Sequence, residues 1–250
     1  PDRSYTPPDA TKENLKTLHQ ILGLERAVIV QATCHGDDNT AMLDAISSSN
    51  GSYKGIAMIG DTATENELEK LNACGVRGSR FSFARHLSGP PDLEKVYRVT
   101  KMYASLGWHA VLYLEAEDIV EHAKKLANLP VPVVIDHMAR FNVIKGVEQE
   151  AFQLLLDFVR NEDFWVKISG AERLSNTPYP FDDIIPFAGA LIDAASDRII
   201  WGTDWPHPNI NGLMPNDGDL VDMLLKYAPN EDTRNQILVD NPARLYGFET

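Results

Sequence analysis

Gly202-Thr203-Asp204-Trp205-Pro206-His207-Pro208 follows directly on the apolar run Arg198-Ile199-Ile200-Trp201. A β-branched run that ends in glycine and meets two prolines reads as a buried strand stopped at a loop. Asp204 thereby falls at the carboxyl end of a strand, where a carboxylate is costly to bury without a partner or a task. The competing reading is an aspartate that caps a turn. A second apolar run, Val131-Pro132-Val133-Val134-Ile135, ends in Asp136-His137-Met138-Ala139-Arg140. His137 there is either a core histidine satisfied by backbone or a group that exchanges protons near neutral pH. Asp136, its neighbour on an extended strand, is expected to face the other way.

Other strand-like runs also finish in polar groups. Thr33, Cys34 and His35 follow Ala32, and Arg80 and Arg85 belong to the run that starts at Val76. Tyr113 and Glu115 end the run from Trp108, and Glu172 and Arg173 follow the run over 164–169. Each arginine taken singly could pair with a surface acid. Together with Arg140 they suggest an anion site, because planar guanidinium forks match carboxylates bidentately. Tyr113 reads either as a polar contact or as an aromatic plug. His35, His86, His109 and His207 receive no assignment, and His19 and His122, on predicted helices, read as surface residues. Cys34 reads as a buried thiol rather than a nucleophile.

These groups need a scaffold, and the chain supplies strands and helices in alternation. Strands are predicted over 26–32, 55–59, 76–83, 108–114, 131–136, 164–169 and 198–202. Helices are predicted near 11–21, 39–48, 65–74, 93–106, 119–126, 149–160, 184–194, 220–226 and 232–239. Strands that are apolar without alternation belong to a parallel sheet covered on both faces. Seven strand-helix units in 250 residues, with no break in composition, predict one α/β domain over residues 1–250, a (β/α)8 TIM barrel. The eighth strand is expected upstream of Pro1, so the domain is read as lacking its first strand. An open doubly wound sheet is the competing fold; no Gly-x-Gly-x-x-Gly or P-loop supports it. Apolar content of 44% and charged content of 24% are those of an ordinary globular protein. A net charge of -13 argues against nucleic acid and anionic membranes as partners. Two cysteines without metal-type spacing fit a reducing cytoplasm, and no disulfide framework or thiolate zinc site is indicated.

Three segments carry a family resemblance. Val133-Val134-Ile135-Asp136-His137-Met138-Ala139-Arg140, Trp201-Gly202-Thr203-Asp204-Trp205-Pro206-His207-Pro208 and Asp240-Asn241-Pro242-Ala243-Arg244-Leu245-Tyr246 resemble the amidohydrolase superfamily in its metal-dependent-hydrolase-like branch. Residues 26–36 and 75–81 are most similar to the 2-pyrone-4,6-dicarboxylate lactonases within it. The resemblance implies Asp204 as general base on the hydrolytic water and His137 near the substrate carbonyl. It implies Arg80, Arg85 and Arg173 as holders of substrate carboxylates, with Tyr5, Thr33 and Tyr113 as further polar contacts. The superfamily's His-x-His is absent from this sequence, and the stretch between Arg173 and Asp182 is short for the family.

The expected reaction is hydrolysis of an anionic lactone, 2-pyrone-4,6-dicarboxylate first, in the breakdown of lignin-derived aromatics and without a cofactor. Such a reaction needs a base for water, stabilisation of the carbonyl oxyanion and carboxylate anchors. The first alternative is a metal-dependent amidohydrolase or decarboxylase holding one divalent metal such as zinc. Tyr113 stands where such an enzyme is expected to carry a ligand histidine. The second alternative is a barrel that binds a dicarboxylate without turnover. The oligomeric state is not legible.

Overall fold

Seven short strands form, one in each region where a strand is expected. They are β1 (Ala27–Val30), β2 (Tyr53–Ala57), β3 (Val76–Ser82), β4 (His109–Tyr113), β5 (Val133–Ile135), β6 (Phe164–Lys167) and β7 (Ile199–Ile200). A computed structural model of the chain describes residues 5–83, 85, 92–208, 210 and 214–249; His86 lies outside them. The strands follow one another in a seven-stranded sheet in chain order. The pairs β1–β2, β2–β3 and β6–β7 are parallel. Parallel neighbours cannot be joined by tight turns and need crossover segments, which the helices supply. In chain order these are α1 (Lys12–Leu22), α2 (Thr40–Ser47), α3 (Glu65–Ala73), α4 (Leu93–Tyr103), α5 (Ala116–Leu126) and α6 (Glu150–Val159). There follow α7 (Ala171–Leu174), α8 (Ile185–Ala195), α9 (Asp217–Asp222), α10 (Leu224–Tyr227), α11 (Glu231–Asn235) and α12 (Asn241–Tyr246). The chain is thus α/β as expected. Among the described residues no helix is long and apolar enough to cross a membrane.

The chain divides into two compact units, residues 1–112 with 129–133 and residues 113–128 with 134–250. In the first unit, β1 and β2 pair with Ala27 opposite Tyr53, and the β2–β3 register shifts between Gly55 and Ile56. Ile56, Val76, Val96, Tyr103, Trp108 and Val111 are fully out of solvent and form its centre. Gly78 of β3 lies against the backbone of β4. A Cβ there would fall 2.4 Å from the His109 carbonyl oxygen, so only glycine allows this approach. Thr64 and Glu67 form a reciprocal capping box that starts α3. The loop after β1 is tied down by Gln31, whose side-chain amide donates to the Gly36 and Asp38 carbonyls at 3.2 and 2.7 Å. His19 departs from its expected place on the surface. It is buried, with Nδ1 2.8 Å from the Tyr53 hydroxyl, because α1 turns that face onto β2.

In the second unit Val166 pairs with Ile199 and Lys167 with Ile200. Phe141, Phe152 and Phe187 pack in one cluster, with Phe141 and Phe187 stacked at 4.1 Å between ring centres. Strand β7 is only two residues long and needs outside support. Buried Asn241, at the start of α12, donates from its amide to the carbonyls of Ser196 and Ile199 at 2.8 and 2.7 Å. Arg244, one turn on, donates to the Asp197 carbonyl and lays its guanidinium over the Trp165 ring. The Asp-Asn-Pro-Ala-Arg motif is therefore a brace for the start of β7 and the residues that lead into it.

Candidate active site

The loop after β7 does not leave in relaxed geometry. Asp204 and His207 have φ of +67° and +53°, and the His207 N–H closes a turn onto the Asp204 carbonyl at 2.8 Å. The segment after β5 is further from the norm: His137, Met138, Ala139 and Arg140 lie at φ between +47° and +56°. Left-handed backbone costs a residue with a Cβ about 1–2 kcal/mol, and such conformations gather where function needs them. This turn corrects the expectation for Asp136. The strand ends at Ile135, so Asp136 does not alternate away; its carboxylate is buried, 3.6 Å from His137 Nε2.

Around these two loops a network of side chains assembles. Arg173 Nε donates to Asp204 Oδ2 at 2.7 Å, and its Nη2 donates to the Pro208 carbonyl at 2.9 Å. Burial opposes the charge on Arg173, but Asp204 and Glu172 hold its guanidinium above the usual range. The other oxygen, Asp204 Oδ1, lies 3.6 Å from His137 Nε2. The Asp204 side chain keeps 20% of its surface exposed, so water reaches it. His137 Nδ1 is 2.9 Å from the Ser169 hydroxyl, which fixes the ring whichever partner donates. Gly170, at φ +77°, makes room for that ring: a Cβ would fall 3.0 Å from His137 Nδ1. Lys167 donates to Asp136 Oδ1 at 2.9 Å and balances that buried carboxylate. The Tyr113 and His137 rings meet at a steep angle, 5.2 Å between centres, and the Tyr113 hydroxyl accepts from Arg140 Nη1 at 2.7 Å.

The expected site residues thus fall into two groups. Tyr113, His137, Arg173 and Asp204 come together in the second unit, with Arg140 beside them. In the first unit, Tyr5 hydrogen-bonds Cys34 and lies near Arg80. Burial, with Cys34, pushes the Tyr5 hydroxyl up to about 12, so it is a neutral donor across the working pH range. Arg80 Nη1 donates to the Gln31 carbonyl at 3.3 Å. Thr33 opens the single turn Thr33–His35 after β1, and Arg85 is exposed in a turn. Cys34 is half-buried, not the fully buried thiol expected, and both cysteines are free.

Five further participants went unassigned in the sequence: Lys167, Ser169, Glu172, His207 and Asp217. Lys167 carried a signal, since a lysine in an apolar run such as Phe-Trp-Val-Lys-Ile must find a partner. His207 carries one too, sitting between two prolines three residues past Asp204. Its Nε2 is 3.1 Å from Asp217, and its Nδ1 faces Glu172 at 3.6 Å. Burial opposes its protonation, but the two carboxylates outweigh burial and push His207 up to about 9.

Glu172, Asp204 and His207 each offer a ligand atom within 4.8 Å of the others, which is spacing a metal ion could use. The chemistry of this donor set does not fit one. Arg173 Nε lies 2.7 Å from Asp204 and 3.5 Å from Glu172, so a cation set between these carboxylates would meet the positive charge of the guanidinium. The protein's own cations satisfy these carboxylates.

A model of the Amidohydrolase family (Amidohydro_2) matches residues 1–248. The chain belongs to the amidohydrolase family. This amidohydrolase is 44% identical over 255 residues to the 2-pyrone-4,6-dicarboxylate hydrolase of Comamonas testosteroni, covering 98% of this chain and 84% of that protein. It is 42% identical over 248 residues to the 4-sulfomuconolactone hydrolase of Hydrogenophaga intermedia, covering 98% and 82%. Among solved structures it is similar to a probable 2-pyrone-4,6-dicarboxylic acid hydrolase from Acinetobacter baumannii with citric acid bound. That match has a TM-score of 0.85 and 30% identity and covers 98% of this chain and 92% of the other. The resemblance seen in the three motifs therefore extends over the whole amidohydrolase chain.

Proposed function

We propose that this amidohydrolase hydrolyses an anionic lactone, with 2-pyrone-4,6-dicarboxylate the leading substrate, in the catabolism of aromatic compounds. One observation carries the reading. A single carboxylate, Asp204, has one oxygen on a guanidinium and the other facing a histidine across 3.6 Å. Asp204 Oδ1 accepts a proton from water as the water oxygen bonds to the lactone carbonyl carbon. His137 Nε2, oriented through Ser169, donates toward the carbonyl oxygen as negative charge builds there. Collapse re-forms the carbonyl and breaks the bond to the ring oxygen. That oxygen leaves as an enolate conjugated to a carbonyl, so it departs without prior protonation. The proton on Asp204 then returns to solvent or to the product.

Arg173 exchanges its contact with Asp204 for a substrate carboxylate and so fixes the ring against the base. Tyr113 contributes a hydroxyl beside His137. For the first unit we assign Tyr5, Thr33, Arg80 and Arg85 as substrate contacts, an assignment that rests on the motif resemblance. The seven strands in chain order are read as strands of a (β/α)8 barrel. Catalysis is read as metal-independent, because Tyr113 ends β4 where a ligand histidine is expected and Arg173 occupies the carboxylates. With both cysteines free, we place the protein in the reducing cytoplasm.

The test is to incubate the protein with 2-pyrone-4,6-dicarboxylate and with 4-sulfomuconolactone and follow loss of ring absorbance. Turnover that persists after chelation supports the proposal. An unaltered ligand after saturable binding makes the protein a binder, and stoichiometric zinc with activity lost on chelation overturns metal independence.

A further inference from the structure

Glu172 has no part in the steps above, yet it is a buried carboxylate beside Arg173. Its side chain is 4% exposed, and neither oxygen has a hydrogen-bond partner among the described residues. A buried carboxylate without hydrogen bonds is costly and persists only where neighbouring charges hold it. Two cations face Glu172 Oε1: Arg173 Nε at 3.5 Å and His207 Nδ1 at 3.6 Å. Behind His207 stands Asp217 of α9, 3.1 Å from Nε2. The Tyr227 hydroxyl of α10, which bonds the Met223 sulfur, also feels the charge of Glu172. From Asp204 to Asp217 the charges alternate: carboxylate, guanidinium, carboxylate, imidazolium, carboxylate.

We infer that Glu172 is a positioning residue that acts through Arg173, with His207 and Asp217 fixing it from behind. It keeps the guanidinium at the reacting centre while a substrate carboxylate replaces Asp204 as the hydrogen-bonded partner. The distances suit this exchange. Asp204 holds Arg173 by a direct bond at 2.7 Å, the contact that an incoming carboxylate would take over. Glu172, at 3.5 Å, attracts the guanidinium without taking its Nε–H, so that donor can pass from Asp204 to the incoming anion. A second direct bond from Glu172 would instead compete with substrate. This inference rests on the proposed contact between Arg173 and a substrate carboxylate.

Steady-state kinetics on 2-pyrone-4,6-dicarboxylate separate the two. Glu172→Gln is expected to raise KM about tenfold with a smaller change in kcat, and Arg173→Met to raise KM at least as much. Because Glu172 acts through Arg173, the double variant should be no worse than Arg173→Met alone. Glu172→Asp, which keeps the charge, should recover part of the loss. Losses that multiply in the double variant, or a parental KM in Glu172→Gln beside a raised KM in Arg173→Met, overturn the inference and leave the lactonase reading intact. No turnover by the parent, or a parental KM in Arg173→Met, overturns the underlying reading and the inference with it. Should Glu172→Gln not fold, Asp217→Asn replaces it: a raised KM with kcat retained supports the inference, and a parental KM overturns it.

Discussion

The two units carry their polar groups on different kinds of backbone. In the second, seven non-glycine residues among those described take left-handed conformations, and six of them, His137 to Arg140, Asp204 and His207, lie on the loops of one carboxylate–guanidinium–histidine network, Phe181 being the seventh. In the first, Tyr5, Thr33 and Arg80 take none, and Asn50, on a turn between α2 and β2, is the one such non-glycine among the described residues. Strain is tolerated where reacting atoms must be aimed, since a small misplacement there costs much rate. Holding a carboxylate requires charge and donors, which ordinary backbone can present. Effects on kcat should therefore arise in the second unit, where Arg173 also contributes to KM, and the first unit should act on KM alone.

Asp204→Asn tests this most severely. It should lower kcat by about 10²–10⁴-fold while a dicarboxylate still binds within a few-fold of parent, as measured by calorimetry. A parental rate would remove the base. Next in size is the pH dependence of stability. His207 rises from an ordinary 6.5 to about 9, because Asp217 and Glu172 outweigh burial. Its contribution is complete below the lower value and is lost as pH rises through about 9. Unfolding by denaturant should show a fall of up to about 3 kcal/mol over that window, and His207→Gln should flatten it.

Arg173→Met should raise KM for the dianionic lactone about 10–100-fold, the worth of a charged hydrogen bond, with a lesser effect on kcat. Gly170→Ala should lower the thermal midpoint, through about 1–2 kcal/mol of left-handed strain. It should also lower kcat about tenfold, because the new Cβ would meet His137 Nδ1 at 3.0 Å. Unchanged kcat would detach the ring's placement from catalysis. The smallest effect is expected in the first unit. Tyr5→Phe removes the hydroxyl bonded to Cys34 and should raise KM only two- to threefold, about what one neutral hydrogen bond is worth. A fall in kcat there larger than that of Gly170→Ala would end the distinction between the units.

Much of this arrangement was legible before any coordinates. Strands such as β1, β4, β5 and β7 fall in apolar runs that lack alternation, because parallel strands covered on both faces need no polar side, whereas β2 and β3 carry Lys54, Arg77 and Arg80. Asp204, His137 and Arg173 stood out for the same reason, as polar groups where such runs stop. What stayed hidden depends on pairing over long separations. Ser169 and Lys167 meet partners 32 and 31 residues away, and nothing local in sequence announces either contact. The left-handed turn at 137–140 contains no glycine, so its backbone could not be read from composition. That same turn defeated the alternation rule for Asp136. His19 was misplaced because one polar side chain on an amphipathic helix does not reveal that a tyrosine hydroxyl waits opposite it.

Asn241 has a consequence for how this chain can be altered. A carboxamide contributed by the last helix does for β7 what backbone of an adjoining strand would ordinarily do. The strand that leads to Asp204, the proposed base, is thus held by the carboxyl-terminal helix as well as by its pairing with β6. Trimming the carboxyl-terminal helix, or crowding it with an appended tag, would silence the chemistry before it disturbed the rest of the architecture.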